Sequence, residues 1–372
     1  MAVRQVLLAG GGHSHLEVLR RYAASPDPAL AATLVSPNPV ATYSGMLPGV
    51  VAGHYAPAEA EIALSPLASA GRTRFLAGAI AGIDLDRKIA HLDCGRMIPF
   101  DILSLDVGAL PDASIEGALS NGIGVRPFDR FLRRWEALVA DAQRGVVRRV
   151  AVIGGGAGGV ELLLAMHHRL TQVLGPAAPR FALFTDQPAL LPQHAPAVRR
   201  RLLHLLAGRG VELHFDSPVV AIEPDAVVTM AGARIAADRM VIATSAAAAP
   251  WLPQSGLGCD AGGFVSVNGC LQSVTHPFVF AAGDCASQSG RAYPKSGLYA
   301  VRHGPTLAEN LRRYARGAAM LPFKPPLRAL ALITTGGRSA VLSYGPLMAS
   351  GRWVWRWKDR IDRRHIEKYR TQ

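Results

Sequence analysis

The chain has 372 residues, 49% of them apolar and 18% charged, enough for two or three domains at roughly 100–200 residues each. With 38 Gly, 26 Pro and only 4 Cys, it is neither a disordered chain, nor collagenous, nor a small disulfide-stapled scaffold. Forty Lys and Arg against 27 Asp and Glu give a net charge of +13, which bears on partners rather than on fold.

The first element is a short buried strand, Val6-Leu-Leu-Ala9, followed by Gly10-Gly-Gly-His-Ser-His15 and the start of a helix at Leu16. Strand, tight glycine turn and helix is the setting in which such a loop binds a dinucleotide. Gly10 suits the turn and Gly12 suits close approach of a diphosphate; His15 stands where a third glycine is usual. His13 and His15 flank the loop, and packing or phosphate contact is preferred to metal binding because no third ligand is evident. The next strand, Thr33-Leu-Val-Ser36, ends in Ser36 where an acid would hold the adenosine ribose, with Asn38 as a substitute.

A second, more complete loop lies 144 residues on. Val150-Ala-Val-Ile153 leads into Gly154-Gly-Gly156-Ala-Gly-Gly159 and a Leu-rich helix, so all three glycines are present at Gly154, Gly156 and Gly159. The following strand, Phe181-Ala-Leu-Phe-Thr185, is followed by Asp186, a ribose acid one residue late; no arginine comes next, which favours NADH over NADPH. Glu161 falls in the first helical turn, where negative charge is favourable. Met240-Val-Ile-Ala-Thr244 and His276-Pro-Phe-Val-Phe-Ala-Ala-Gly283-Asp284 are two further buried strands, the second ending in a carboxylate suited to a polyol chain.

These ordered motifs resemble the flavoprotein superfamily with two dinucleotide domains that includes glutathione reductase, type II NADH dehydrogenases and sulfide:quinone oxidoreductases. Within it, Thr42-Tyr-Ser-Gly-Met-Leu-Pro-Gly49 and Leu103-Ser-Leu-Asp-Val-Gly108 are similar to NADH dehydrogenase-like oxidoreductases, some of which are fused to selenophosphate synthase. The resemblance implies an α/β fold of two Rossmann-like domains. An FAD-binding domain, residues 1–115 and 246–320, is interrupted by an NAD(P)H-binding domain, residues 120–245, and residues 321–372 form a small C-terminal segment. It assigns Gly10 and Gly12 to the FAD diphosphate, Asp284 after Gly283 to the ribityl chain, and Gly154, Gly156 and Gly159 to NADH or NADPH. The usual Ala-Thr-Gly turn becomes Asp106-Val-Gly108 in one place and Ala243-Thr244-Ser245 in the other. Ser44, Gly45 and Met46 would close over the adenine or flavin, and Lys295 and Gly297 would line the flavin.

The implied activity is that of an FAD-dependent NAD(P)H oxidoreductase, with hydride passing from NADH to FAD and then to a small-molecule acceptor. A sulfide:quinone-like enzyme and a redox-inactive nucleotide sensor or scaffold are the alternatives. Glu161, Lys295 and His303 are the catalytic candidates: Glu161 facing the flavin–nicotinamide junction, Lys295 stabilising anionic flavin, and His303 binding an acidic acceptor or moving a proton. The redox Cys pair of disulfide reductases is missing, and Arg302-His303 replaces the paired glutamines of type II NADH dehydrogenases, which counts against a quinone and leaves the acceptor unidentified. No metal site or nucleic-acid-binding pattern is found.

Residues 352–372 carry eight Lys or Arg against three acids and three of the five tryptophans. As a helix they would align Trp353, Trp357 and Ile361 at spacing four. Such a helix lies at a membrane interface, or docks on its own domain or a homodimer partner. No stretch of about 18 apolar residues occurs and residues 6–9 are too short for a secretory signal, so the sequence predicts a cytoplasmic protein, peripheral on the inner membrane face if the helix binds lipid.

Overall fold

The computed structural model describes residues 3–111, 114–244, 246–290 and 293–370; Ser245 of the second turn motif lies outside them. Two five-stranded sheets organise the chain, and every strand pairing within them is parallel. The first runs Val279–Ala281, Ile102–Leu105, Arg4–Ala9, Leu30–Ser36, Arg74–Ala77. The second runs Gly122–Gly124, Arg239–Ile242, Arg149–Ile153, Arg180–Phe184, Glu212–His214. Parallel sheets need both faces covered, and their strands accordingly read as continuous apolar runs. Leu7, Leu8, Ala151 and Val152 are at most 1% exposed, and burying one such Leu or Val contributes about 1.5–3 kcal/mol.

The two units repeat one plan. In each, the central strand feeds a glycine loop and a helix, His13–Ala24 in the first and Ala157–Leu174 in the second. Each also carries a three-stranded antiparallel meander, inserted before the fourth sheet strand in the first unit and before the fifth in the second. The first spans Ile80–Asp84, Ile89–Leu92 and Met97–Pro99, the second Val219–Ile222, Ala226–Thr229 and Arg234–Ala236. The chain crosses between units through Leu110–Pro111, which pairs antiparallel with the returning Ala246–Ala247. Strand Val279–Ala281 then completes the first sheet, and helix Gly297–Ala315 packs against His13–Ala24.

Beyond residue 330 the chain forms a further antiparallel sheet, Ala331–Thr335, Gly337–Tyr344 and Leu347–Gly351, and a helix, Arg352–Glu367. This helix docks on the protein's own body with Val354, Asp362 and Ile366 inward, followed by buried Tyr369. Glu17 anchors it: the carboxylate accepts from Lys368 at 2.7 Å and from the Tyr369 hydroxyl at 3.2 Å. Trp353, Trp357 and Ile361 share a face, but it is the outward one, at 56%, 40% and 40% exposure. The docked face is therefore not the one that carries Trp353 and Trp357; Trp355 is half-buried against the body.

Candidate active site between two glycine loops

The second loop has the complete glycine pattern and shows why each is needed. Gly154 adopts φ +128°, and a Cβ there would lie 2.4 Å from the Ala243 carbonyl oxygen. A Cβ on Gly159 would sit 2.1 Å from the Gly154 oxygen, so the helix lies directly on the turn. Gly156 faces open space at the N-cap of Ala157–Leu174 and leaves that helix without a side-chain cap, its first N–H groups free for a diphosphate. Thr185 is buried beneath Gly155 at the end of strand Arg180–Phe184, Asp186 is exposed just beyond it, and the Thr244 hydroxyl is buried without a partner beside the loop.

The first loop solves the same problem without its third glycine. Gly10 has φ +97°, and a Cβ there would lie 2.3 Å from the Asp106 carbonyl oxygen. His15, fully buried, shares a bond with the Gly10 oxygen through Nδ1 at 2.6 Å and with the Ser104 hydroxyl through Nε2 at 2.8 Å. The imidazole fills the gap that close helix–strand contact fills in the second loop, so its role is packing. Burial holds it neutral, with its pKa down to about 4. His13 is likewise held down to about 4 by burial, and its Nε2 has no partner. That orphaned donor or acceptor and the glycine cradle are the features a dinucleotide diphosphate would satisfy. Ser36 lies buried below Gly11, and Asn38 is half-buried beyond it.

Asp106 is buried against Gly12 and accepts the His15 N–H at 3.0 Å; burial pushes its pKa up to about 7. Gly108, at φ +70°, has open space around its Cβ position. Across the same space, Gly283 has φ +66°, and Asp284 is ion-paired with Arg126 at 2.8 Å. Arg126 opens the second unit, so this pair ties the entrance of one unit to the strand end of the other. The sequence reading missed Arg126.

Ser44 faces Gly297, whose Cβ would come within 2.6 Å of the Ser44 hydroxyl. Met46 is 1% exposed and lies in the apolar core, so it is Ser44 and Gly45 that border the cleft. The Lys295 ammonium donates to the Ala286 carbonyl, sits 3.8 Å over the Phe264 ring, and lines a cavity of about 220 Å³ with Asp284, Tyr299 and His303. Burial lowers its pKa.

His303 differs from the expectation of a proton carrier. It is 6% exposed, its Nδ1 accepts the Gly283 N–H at 3.1 Å, and its ring meets Phe323 edge-on at 4.5 Å. Burial, aided by Lys295, lowers its pKa to about 4, so it stays neutral near pH 7 and does not titrate there. Arg302 beside it is exposed.

Glu161 opens the second turn of its helix, which begins at Ala157, so the helix-start charge argument is weaker than the sequence suggested. The carboxylate instead accepts the Thr334 N–H at 2.7 Å and its hydroxyl at 2.8 Å. Burial raises its pKa, opposed by the Lys358 charge and the Thr334 bonds. Lys358, on the C-terminal helix, donates to the Gly45 carbonyl at 2.5 Å and to Asp362 at 2.6 Å. It thus reaches the Ser44–Gly45 border of the first unit while acting electrostatically on Glu161 of the second. Tyr43 stacks on His365 at 4.2 Å and bonds Asp362. The only sequence signal for this cluster was the spacing of Lys358 and Asp362, four apart on one helix face.

The four cysteines are free: Cys94 is exposed, Cys259 and Cys270 are half-buried, and Cys285 is buried. Burial pushes the Cys285 thiol up to about 12, so it carries no thiolate for sulfur chemistry. Among the described residues no cluster of three or more His, Cys, Asp or Glu is placed to hold a metal, and no helix is long and apolar enough to cross a membrane.

The family model for pyridine nucleotide-disulphide oxidoreductases matches residues 4–310, which span both glycine loops and the Gly283-Asp284 turn. The chain belongs to that family. Ferroptosis suppressor protein 1 of Xenopus tropicalis is 25% identical over 278 residues, 71% of this chain and 70% of the relative. A type II NADH:quinone oxidoreductase of Staphylococcus aureus is 23% identical over 349 residues, 86% of this chain and 85% of the relative. Among solved structures, the sulfide:quinone oxidoreductase of Aquifex aeolicus superposes with a TM-score of 0.82 at 20% identity, covering 99% of this chain and 92% of that one. NDH2 of Plasmodium falciparum in complex with NADH superposes with the same TM-score, 0.82, at 12% identity, covering 98% and 97%. The protein is an FAD-dependent pyridine nucleotide oxidoreductase.

Proposed function

We propose that this oxidoreductase takes hydride from NADH and passes electrons to a quinone at an anionic membrane surface. One observation carries the reading: Lys358 is held by the Gly45 carbonyl of the first unit and biases Glu161 at the second glycine loop. The two nucleotide sites therefore converge on one charged cluster. Bound FAD would supply the hydride and electron chemistry, and the chain supplies position and charge.

On this reading Gly10, Gly12, His13, Ser36, Asn38, Asp106 and Gly108 hold the diphosphate and ribose half of FAD. Gly283 and Asp284 hold the ribityl chain, and Ser44, Gly45, Lys295 and Gly297 border the flavin. Gly154, Gly156, Gly159 and Thr244 hold NADH with Asp186, whose carboxylate at the strand end disfavours a 2′-phosphate and so NADPH. Lys358 and Lys295 offer positive charge where the cofactor gains electrons. Glu161, its proton affinity raised by burial, is the carboxyl placed to pass a proton during acceptor reduction.

The acceptor assignment draws on the relatives named as quinone oxidoreductases. The membrane assignment draws on the outward face of the C-terminal helix, where Trp353, Trp357 and Ile361 alternate with exposed Arg356, Arg360 and Arg364. The hairpin before it exposes Leu347 and Met348 as well. Apolar rings among arginines suit the headgroup layer of an anionic bilayer. The test is to load the protein with FAD and reduce it with NADH or NADPH. Reoxidation is then followed with a short-chain quinone, ferricyanide and oxygen. Fast reoxidation by quinone supports the reading; reoxidation by ferricyanide or oxygen alone refutes the quinone assignment.

A further inference from the structure

The two glycine loops differ in one respect that their shared plan does not explain. At the second, the helix N-terminus is open. At the first, the N-terminus already holds a carboxylate of the chain itself. The Asp106 side chain accepts the backbone N–H groups of His15, at 3.0 Å, and Ser14. It lies so close under Gly12 that a Cβ there would be 2.3 Å from its Cγ, and a Cβ on Gly283 would be 2.5 Å from Oδ1. First-turn N–H groups are the donors such a loop offers a diphosphate. A fixed negative charge beneath them opposes the ligand the loop is built to hold.

We propose that the first glycine loop accepts the FAD diphosphate with Asp106 protonated, so that binding the cofactor takes up one proton from solvent. This rests on the assignment of that loop to FAD. Once protonated, one carboxyl oxygen can donate to a phosphate oxygen while the other keeps the His15 N–H.

The imidazoles and the thiol packed around Asp106 do not titrate between pH 6 and 9. On its helix neighbours, His13 and His15 are held neutral by burial, with pKa values down to about 4. From the Gly283–Cys285 turn, Asp284 is paired with Arg126 of the second unit, and burial keeps the Cys285 thiol protonated. From helix Gly297–Ala315, His303 reaches the site only through the Gly283 N–H and is also neutral. Lys295 is committed to Ala286 and the Phe264 ring. Asp106 has no ion pair among the described residues, and burial sets its own midpoint at about 7.

The experiment is calorimetric titration of FAD into apoprotein at pH 6, 7, 8 and 9, in buffers of differing ionisation enthalpy. The expected result is about one proton taken up per FAD at pH 8 and a Kd that weakens up to about fifty-fold from pH 7 to pH 9. In Asp106→Asn both the uptake and the pH dependence disappear. FAD bound by the wild type with no proton uptake and a flat Kd would overturn the proposal, whether or not the variant folds. So would uptake that persists in Asp106→Asn, which would assign the proton to another group. Failure to bind FAD at any pH would instead overturn the cofactor assignment on which the proposal stands.

Discussion

Gly159→Ala separates the two nucleotide sites in a single substitution. Its added Cβ would stand 2.1 Å from the Gly154 oxygen, whereas real Cβ contacts essentially never fall below 3.0 Å. The obstacle is backbone, not a flexible side chain, so helix Ala157–Leu174 must lift from its turn by roughly 1 Å. Overpacking of this kind costs about 1–3 kcal/mol, and if the strain is relieved by opening the loop, NADH affinity falls about 5- to 150-fold. The first loop is untouched, because its corresponding position is already occupied by His15 and its hydrogen bonds. The variant should therefore purify with a full complement of FAD and bind NADH weakly. Flavin absorbance of the purified protein measures the first quantity, and the concentration dependence of flavin reduction in a stopped-flow instrument measures the second. An unchanged NADH affinity would refute the claim that this loop holds the nucleotide; loss of FAD would refute the separation of the sites.

Three further outcomes follow from the geometry. Glu161→Gln keeps an acceptor for Thr334 but removes the ionisable carboxyl beside Lys358, and should slow quinone-dependent reoxidation while leaving FAD content intact; unchanged turnover would remove Glu161 from the mechanism. Burial opposes ionisation of Glu17, but Arg20, Lys368 and Arg21 outweigh it and hold the carboxyl down to about 2, from an ordinary 4.5. Its stabilising contribution is present above pH 4.5 and lost as pH falls toward 2, so Glu17→Gln should cost about 3 kcal/mol at pH 7 and nothing near pH 2 in denaturant titrations. Replacing Trp353 and Trp357 together by Ser should abolish co-sedimentation with anionic liposomes at low salt without lowering FAD content; retained binding would point to another surface.

What could be read before the structure was local. A buried strand, a glycine turn and a helix lie within about 15 residues, so both loops, the strand ends at Ser36 and Thr185, and the Gly283-Asp284 turn were visible as sequence. The missing third glycine at His15 was visible too, but not the imidazole's bonds to Gly10 and Ser104, since Ser104 arrives on a distant strand. The two meanders escaped because their strands are only three to five residues long and fold on themselves. The C-terminal sheet escaped because Gly336 and Gly337 interrupt its apolar run. Lys358 and Asp362 do not stand out in sequence, since at helical spacing on a basic helix they are indistinguishable from a surface pair; only docking against Gly45 and Tyr43 buries them. His303 failed in the opposite direction, since a histidine's reference pKa says nothing of the burial that keeps it neutral.

One chain brings NADH and FAD together for hydride transfer. Anaerobic titration of the FAD-loaded protein with NADH tests it most directly. One equivalent of NADH should bleach the visible flavin band completely, and NADPH should do so only at much higher concentration. A protein that retains its FAD, yet stays oxidised under excess NADH and NADPH alike, would contradict the account.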